Sequence, residues 1–180
     1  MAVILQDCFL IYFKMKALFL DRDGVINQEK RDSYIFHKDE MQFYDGALEA
    51  ITQAQKYFDL ILVVTNQRGI GRGLMTETDL MAIHDYLQEK LKAKGGKIDA
   101  FYFATATDNN HPMRKPNTGM ALQAKEDFPE IDFSASVMIG NNISDMEFGK
   151  KMGMKTVFLH TTQEEIPLPH HLIDTQFDSL

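Results

Sequence analysis

The chain is short of cysteine: Cys8 is the only one in 180 residues. An internal disulfide is therefore excluded, and so is a cysteine-rich zinc site. So few thiols suit a reducing compartment, and a cytoplasmic location is the expectation. Positive charge is also scarce. Lys and Arg number 19 against 26 Asp and Glu, for a net charge of −7. That balance argues against sequence-independent nucleic-acid binding, which needs basic surface to displace counterions. It leaves room for a small anionic substrate, because a local basic cluster can sit in an acidic whole. Long apolar runs are missing too. The opening MAVILQDCFLIYF is interrupted by Asp7 and too short to span a bilayer, and it lacks the basic start and cleavage site of a signal peptide. Residues 1–14 are expected to be an edge strand or, by preference, a stretch upstream of a start at Met15, since MKALFLDRDG would begin directly on a strand. No membrane partner is expected.

No repeat, low-complexity tract or Gly/Ser-rich linker divides the chain, and 44% apolar with 25% charged residues is ordinary for a globular protein. At this length, one domain with a real core is expected, over residues 15–180. Short apolar runs at Lys16–Asp21, Leu60–Asn66, Ile98–Ala106, Ser136–Asn141 and Lys155–His160 read as strands covered on both faces. Between them lie stretches of helical period. Asp45–Phe58 places Ala47, Leu48, Ile51 and Ala54 on one face. Thr76–Lys94 opens on Thr76-x-x-Asp79, a capping-box variant, and ends at Gly95-Gly96. Thr118–Phe128 and Ser144–Met152 are shorter helices. The alternation predicts a doubly wound, mainly parallel α/β sheet, which binds ligands where its strands end.

Each strand end carries something. After the first comes DRDGVIN, where Asp21 and Asp23 would repel one another unless a cation lies between them, and Gly24 permits the turn. An EF-hand does not fit, because its glycine belongs two positions later. A solvated acidic turn would account for this motif taken alone. After the second comes TNQRGIGRG, with the Thr65 hydroxyl, Asn66, and three glycines whose backbone can face an anion. It is neither a Walker A loop nor a dinucleotide fingerprint, and by itself it reads as a flexible glycine-rich loop. After the third, Arg114 and Lys115 precede Pro116, which holds Lys115 extended. The pair would suit a phosphate, though two exposed basic residues in a loop are common. After the fourth, Gly140 ends the strand, Asn141 and Asp145 can face back toward Asp21, and Ser144 can cap the next helix. The order of these groups along successive strands is far more specific than any one of them.

LFLDRDGVIN, FYDGALEAI, VVTNQRGIGRGL, MRKPNTGM and MIGNNISDMEFGKKMGMKTVFL resemble, in order, the motifs of the haloacid dehalogenase-type phosphatases. The branch they most resemble holds the D-glycero-D-manno-heptose 1,7-bisphosphate 7-phosphatases and the histidinol-phosphate phosphatases, and the match runs from Met15 to Leu159. The resemblance implies a Rossmann-like fold. It makes Asp21 the nucleophile, Asp23 the general acid and base, Thr65 a hydrogen-bond donor to the phosphoryl group and Lys115 its neutralising cation. Asn141 and Asp145 match a Mg²⁺-binding turn, with Asp21 and the Asp23 carbonyl as further ligands. Asn27, Asn66, Arg72 and Arg114 match substrate contacts. The chain departs from that branch twice. Its loop at Phe103–Met113 has no cysteine and only His111, so no zinc is expected there, and Asn141 stands where an aspartate is usual. The segments between Asp21, Thr65 and Lys115 are filled by the elements above, which leaves no room for a separate cap domain. The expectation is a monomeric, Mg²⁺-dependent phosphomonoesterase for a small metabolite, a heptose bisphosphate first. The alternatives are histidinol phosphate as substrate, or a phosphate-binding module that has lost turnover.

Overall fold

The computed structural model describes residues 13–30 and 33–180, so the two readings of residues 1–14 lie almost wholly outside it. Six parallel strands form one sheet: β1 (Ala17–Leu20), β2 (Leu60–Asn66), β3 (Ala100–Ala104), β4 (Val137–Gly140), β5 (Lys155–Leu159) and β6 (Thr175–Phe177), in the order β3-β2-β1-β4-β5-β6. All four residues of β1 are buried, as a central strand covered on both sides requires. Its side chains alternate between two cores. Leu18 and Leu20 face Ile61, Val63 and the apolar stripes of α1 (Ala47–Ala54) and α3 (Glu77–Ala93). Ala17 and Phe19 face Leu62, Val64, α4 (Gly119–Asp127) and α5 (Ile143–Lys151). Phe19 has no exposed surface, and cutting such a side chain to alanine costs about 3–5 kcal/mol.

The five expected strands and four expected helices are all present, β2 with its expected bounds and the others shifted or shortened by a residue or more. The third strand begins at Ala100 rather than Ile98 because Gln88 of α3 takes both main-chain groups of Ile98 at 3.0 and 3.1 Å, outside the ladder. The capping box of α3 forms in full, with Thr76 Oγ1 accepting from the Asp79 amide. At α5 the cap falls elsewhere. Asn142, not Ser144, is the N-cap, and Asp145 completes a capping box by accepting from the Asn142 amide. One α-helix and one strand were not expected. The stretch Arg68–Gly71, read as a flexible loop, forms one helical turn, α2. The sixth strand has no apolar run to announce it, only Thr-Gln-Phe paired to β5.

The strand order reverses between β1 and β4, so the connections leaving these neighbours diverge and open a crevice at their carboxyl ends. Among the described residues, no helix is long and apolar enough to cross a membrane.

Candidate active site

The four strand-end motifs converge at this crevice. Lys115 reaches it from the loop after β3, where Pro116 follows through a cis peptide. Its ammonium is almost fully enclosed. It lies 3.0 Å from Asp21 Oδ1 and 2.8 Å from Asp145 Oδ1, and donates to the Val64 carbonyl at 2.7 Å. Burial works against this charge, but Asp145 and Asp21 outweigh it and hold the lysine above its usual pKa. The main chain around Lys115 is fixed by Asn66, whose side-chain oxygen accepts the Lys115 amide at 3.0 Å and whose nitrogen donates to its carbonyl at 3.1 Å. Asn66 was expected at the substrate; the structure gives both ends of its amide to the lysine loop.

Asp21 sits at the end of β1, its Oδ1 accepting from the Arg22 amide at 2.7 Å. Burial, opposed by Lys115 and reinforced by the carboxylates of Asp145 and Asp23, lifts its pKa to about 7. Its side chain keeps 15% exposure, which is the opening toward solvent. Asp23, two residues on, has the opposite character. Burial again disfavours its charge, but the Arg22 guanidinium, Asn27 and Gln67 outweigh it and hold the carboxyl below the usual range. Two aspartates in one short turn are thus pushed in opposite directions. Thr65 is buried at the end of β2, its hydroxyl accepting from Gln67 Nε2 at 2.9 Å.

One other expected residue is differently employed. Asn27 is fully buried, and its nitrogen donates to Asp23 Oδ1 and to the Gln28 carbonyl at 2.9 Å each, so it supports Asp23 from within the protein. Asp145 has Oδ1 2.8 Å from the Lys115 ammonium, as an ion pair without a formed hydrogen bond, and Oδ2 accepting from the Asn142 amide at 3.1 Å. Arg72 is exposed and Arg114 half-buried, close enough that Arg72 and Arg68 help, after burial, to depress the Arg114 guanidinium. Gln67, Arg22 and His84 were not foreseen. Gln67 had a signal in its place two residues after Thr65, whereas nothing in DRDG says that its arginine is buried.

Glycines set two close approaches. Gly24, at φ +84°, lies against the Asn141 side chain, where a Cβ would stand 2.1 Å from Nδ2. At Gly140 a Cβ would stand 2.3 Å from the Cβ of Asp145, an atom fixed to the helix. Gly140→Ala is expected to cost about 1–3 kcal/mol in urea unfolding by displacing Asp145 from Lys115.

Metal-binding capacity follows from these contacts. Among the described residues there is no group of three His, Cys, Asp or Glu placed to hold a metal. The available donors are mixed oxygens: the Asp21 carboxylate, the Asp23 main-chain carbonyl, the Asn141 side chain and Oδ1 of Asp145, which makes no hydrogen bond. The Asn141 nitrogen donates to Thr162 Oγ1 at 2.7 Å, which leaves its oxygen as the ligand atom. Such a set fits a hard cation that keeps several waters, as Mg²⁺ does. The pKa of Asp21 is lifted first by burial, with Asp145 and Asp23 adding to it, and a dication beside the carboxylate would oppose that shift.

A strand-order reversal flanked by a carboxylate pair, a hydroxyl and an enclosed lysine defines a haloacid dehalogenase-like hydrolase. The HAD-hydrolase-like family matches residues 112–176. The chain is 39% identical to a D-glycero-alpha-D-manno-heptose-1,7-bisphosphate 7-phosphatase of Burkholderia mallei, covering 81% of this chain and 80% of that protein. It is 35% identical to the D-glycero-D-manno-heptose-1,7-bisphosphate 7-phosphatase of Chlorobaculum tepidum, over 92% of each. Among solved structures it resembles a D,D-heptose 1,7-bisphosphate phosphatase from B. bronchiseptica complexed with magnesium and phosphate, with TM-score 0.74 and 31% identity over 81% of this chain and 80% of that one. The chain belongs to the heptose-1,7-bisphosphate 7-phosphatase family of haloacid dehalogenase-like phosphatases.

Proposed function

We propose that the protein is a Mg²⁺-dependent phosphomonoesterase that removes the 7-phosphate of a D-glycero-D-manno-heptose 1,7-bisphosphate. The observation that carries the reading is the Lys115 ammonium held between Asp21 and Asp145: a nucleophile beside an immobilised cation is what phosphoryl transfer needs. An Asp21 oxygen attacks phosphorus, and the bond to the sugar oxygen breaks as that oxygen takes a proton from Asp23. Water then attacks the phosphorus of the aspartyl-phosphate while Asp23 accepts its proton, and the bond to Asp21 breaks to release phosphate. Asp23 rests below the ordinary carboxylate range, the state suited to the second half. In the first half the negative phosphoryl group of the substrate beside it favours the protonated form. Thr65 and Lys115 orient and neutralise the phosphoryl oxygens. Mg²⁺, which Asp21, the Asp23 carbonyl, Asn141 and Asp145 would hold, would supply Lewis-acid charge at the same oxygens.

The test is phosphate release with Mg²⁺ across the heptose bisphosphate, hexose phosphates, histidinol phosphate and nucleotides. Preference for the heptose bisphosphate is expected. Turnover of histidinol phosphate alone would replace the substrate, and binding without turnover across the panel would leave only a phosphate-binding module.

Asn141 brings one negative charge fewer than an aspartate would. Two unit charges 4 Å apart interact by about 4 kcal/mol at an effective dielectric of 20, and extra repulsion from Asp21 and Asp23 returns part of that. Asn141→Asp is therefore expected to lower the Mg²⁺ concentration for half-maximal activity by about tenfold, with calorimetric Mg²⁺ binding tightening in step. An unchanged titration would remove Asn141 from the ligand set.

A further inference from the structure

Between the two aspartates of the site stands Arg22, which has no exposed surface at all. A guanidinium is expensive to bury, and one that stays buried needs a partner. Here the partner is Asp23. Arg22 Nε donates to Asp23 Oδ1 at 3.1 Å, and Nη2 reaches Oδ1 at 3.0 Å and Oδ2 at 2.8 Å. This fork spans both oxygens and so fixes the plane of the carboxyl group, which a single hydrogen bond could not do. Asn27 completes one oxygen at 2.9 Å and Gln67 the other at 3.0 Å. The fork is itself held from behind. Arg22 Nη1 lies 3.4 Å from Nε2 of His84, a buried residue of α3 stacked on Phe101 with ring centroids 4.4 Å apart. Burial first, and the neighbouring Arg22 second, push the His84 pKa down to about 3, so the ring is neutral and its Nε2 can accept. The chain thus runs Phe101, His84, Arg22, Asp23, from packed ring to reacting group.

We propose that Arg22, braced by His84, is the positioning residue that aims the Asp23 carboxyl at the leaving oxygen. The proposal rests on the reading of Asp23 as general acid given above. Proton delivery depends on alignment as well as on acidity. Misaligning the acid should therefore harm the expulsion of a sugar alkoxide, which needs a proton, far more than that of nitrophenolate, which leaves well without one.

The experiment compares kcat/KM for heptose 1,7-bisphosphate and for p-nitrophenyl phosphate in Asp23→Asn, Arg22→Lys and His84→Leu. Because kcat/KM reports through the first irreversible step, it isolates phosphorylation of Asp21 and leaves out the later attack of water. The ratio of the two values on one preparation is independent of how much of it is folded, so a poorly folding variant remains informative. Arg22→Lys keeps the charge and loses the fork. It is expected to lower the sugar-to-aryl ratio by about 100-fold, and His84→Leu by about threefold to tenfold, with Asp23→Asn at least as severe as either. If the ratio falls in Asp23→Asn but is unchanged or rises in both other variants, Arg22 is structural and the proposal is overturned. If it does not fall in Asp23→Asn itself, the general-acid reading fails, and the positioning role fails with it.

Discussion

Asp21→Asn should leave a folded protein whose phosphate release from the heptose bisphosphate is lowered by at least about 1,000-fold, the scale on which loss of a nucleophile is felt. An amide keeps the shape of the carboxyl group and its hydrogen bond with the Arg22 amide, but it cannot form the acyl-phosphate. Stability should move differently. The pKa of Asp21 is raised to about 7 in the folded protein by burial, with Asp145 and Asp23 adding to it against Lys115. A group whose folded pKa exceeds its unfolded value stabilises below the unfolded value and loses that contribution as pH rises through the folded one. Without added metal, the wild type should therefore lose stability between pH 4 and about pH 7 on this account, and the asparagine variant should not. Thermal melts at pH 5 and pH 8 in chelator should show the variant gaining on the wild type at the higher pH. A variant that keeps turnover would show that another group attacks phosphorus.

Lys115→Met should be damaging to both fold and function. The ammonium is shared by Asp21, Asp145 and the Val64 carbonyl, and methionine matches its volume without its charge. Removing one side of a buried ion pair costs about 3–5 kcal/mol, because the remaining charge is left without a partner; here two carboxylates face each other instead. Part of that cost should be recovered when Asp21 takes up a proton, which its raised pKa already favours. Urea unfolding should report the destabilisation, and phosphate release should fall by about two to four orders of magnitude, as when a preorganised charge aimed at the reacting group is removed. A variant as stable as the wild type would mean that the lysine does not neutralise Asp21 and Asp145.

How much of this was legible beforehand follows from the range of the interactions. Parallel strands such as Leu60–Asn66 are continuous apolar runs, and the Thr76 capping box is closed within four residues, so both can be read locally. The meeting of Asp21 and Lys115 was legible because Asp21 follows β1 directly, Lys115 lies in the loop after β3, and a doubly wound sheet brings strand ends together. Contacts joining distant segments were not. Asn66 clamps the main chain of Lys115, Asn27 turns inward to Asp23, and Asp145 serves Lys115; each choice depends on which neighbour the fold delivers. The burial of Arg22 was the least accessible of all, since His84, its brace, lies far along the chain on α3. β6 is three residues of mixed polarity whose pairing with β5 comes from tertiary context.

The central claim is that phosphate passes through Asp21, and it is tested most directly by trapping the acyl-phosphate. In the Asp23→Asn variant mixed with p-nitrophenyl phosphate and Mg²⁺, the first step needs no acid, whereas the second lacks its base. Rapid denaturation followed by peptide mass spectrometry should find one phosphoryl group on the peptide that carries Asp21. Release of nitrophenolate with no phosphorylated peptide, or with the label on another residue, would contradict the account.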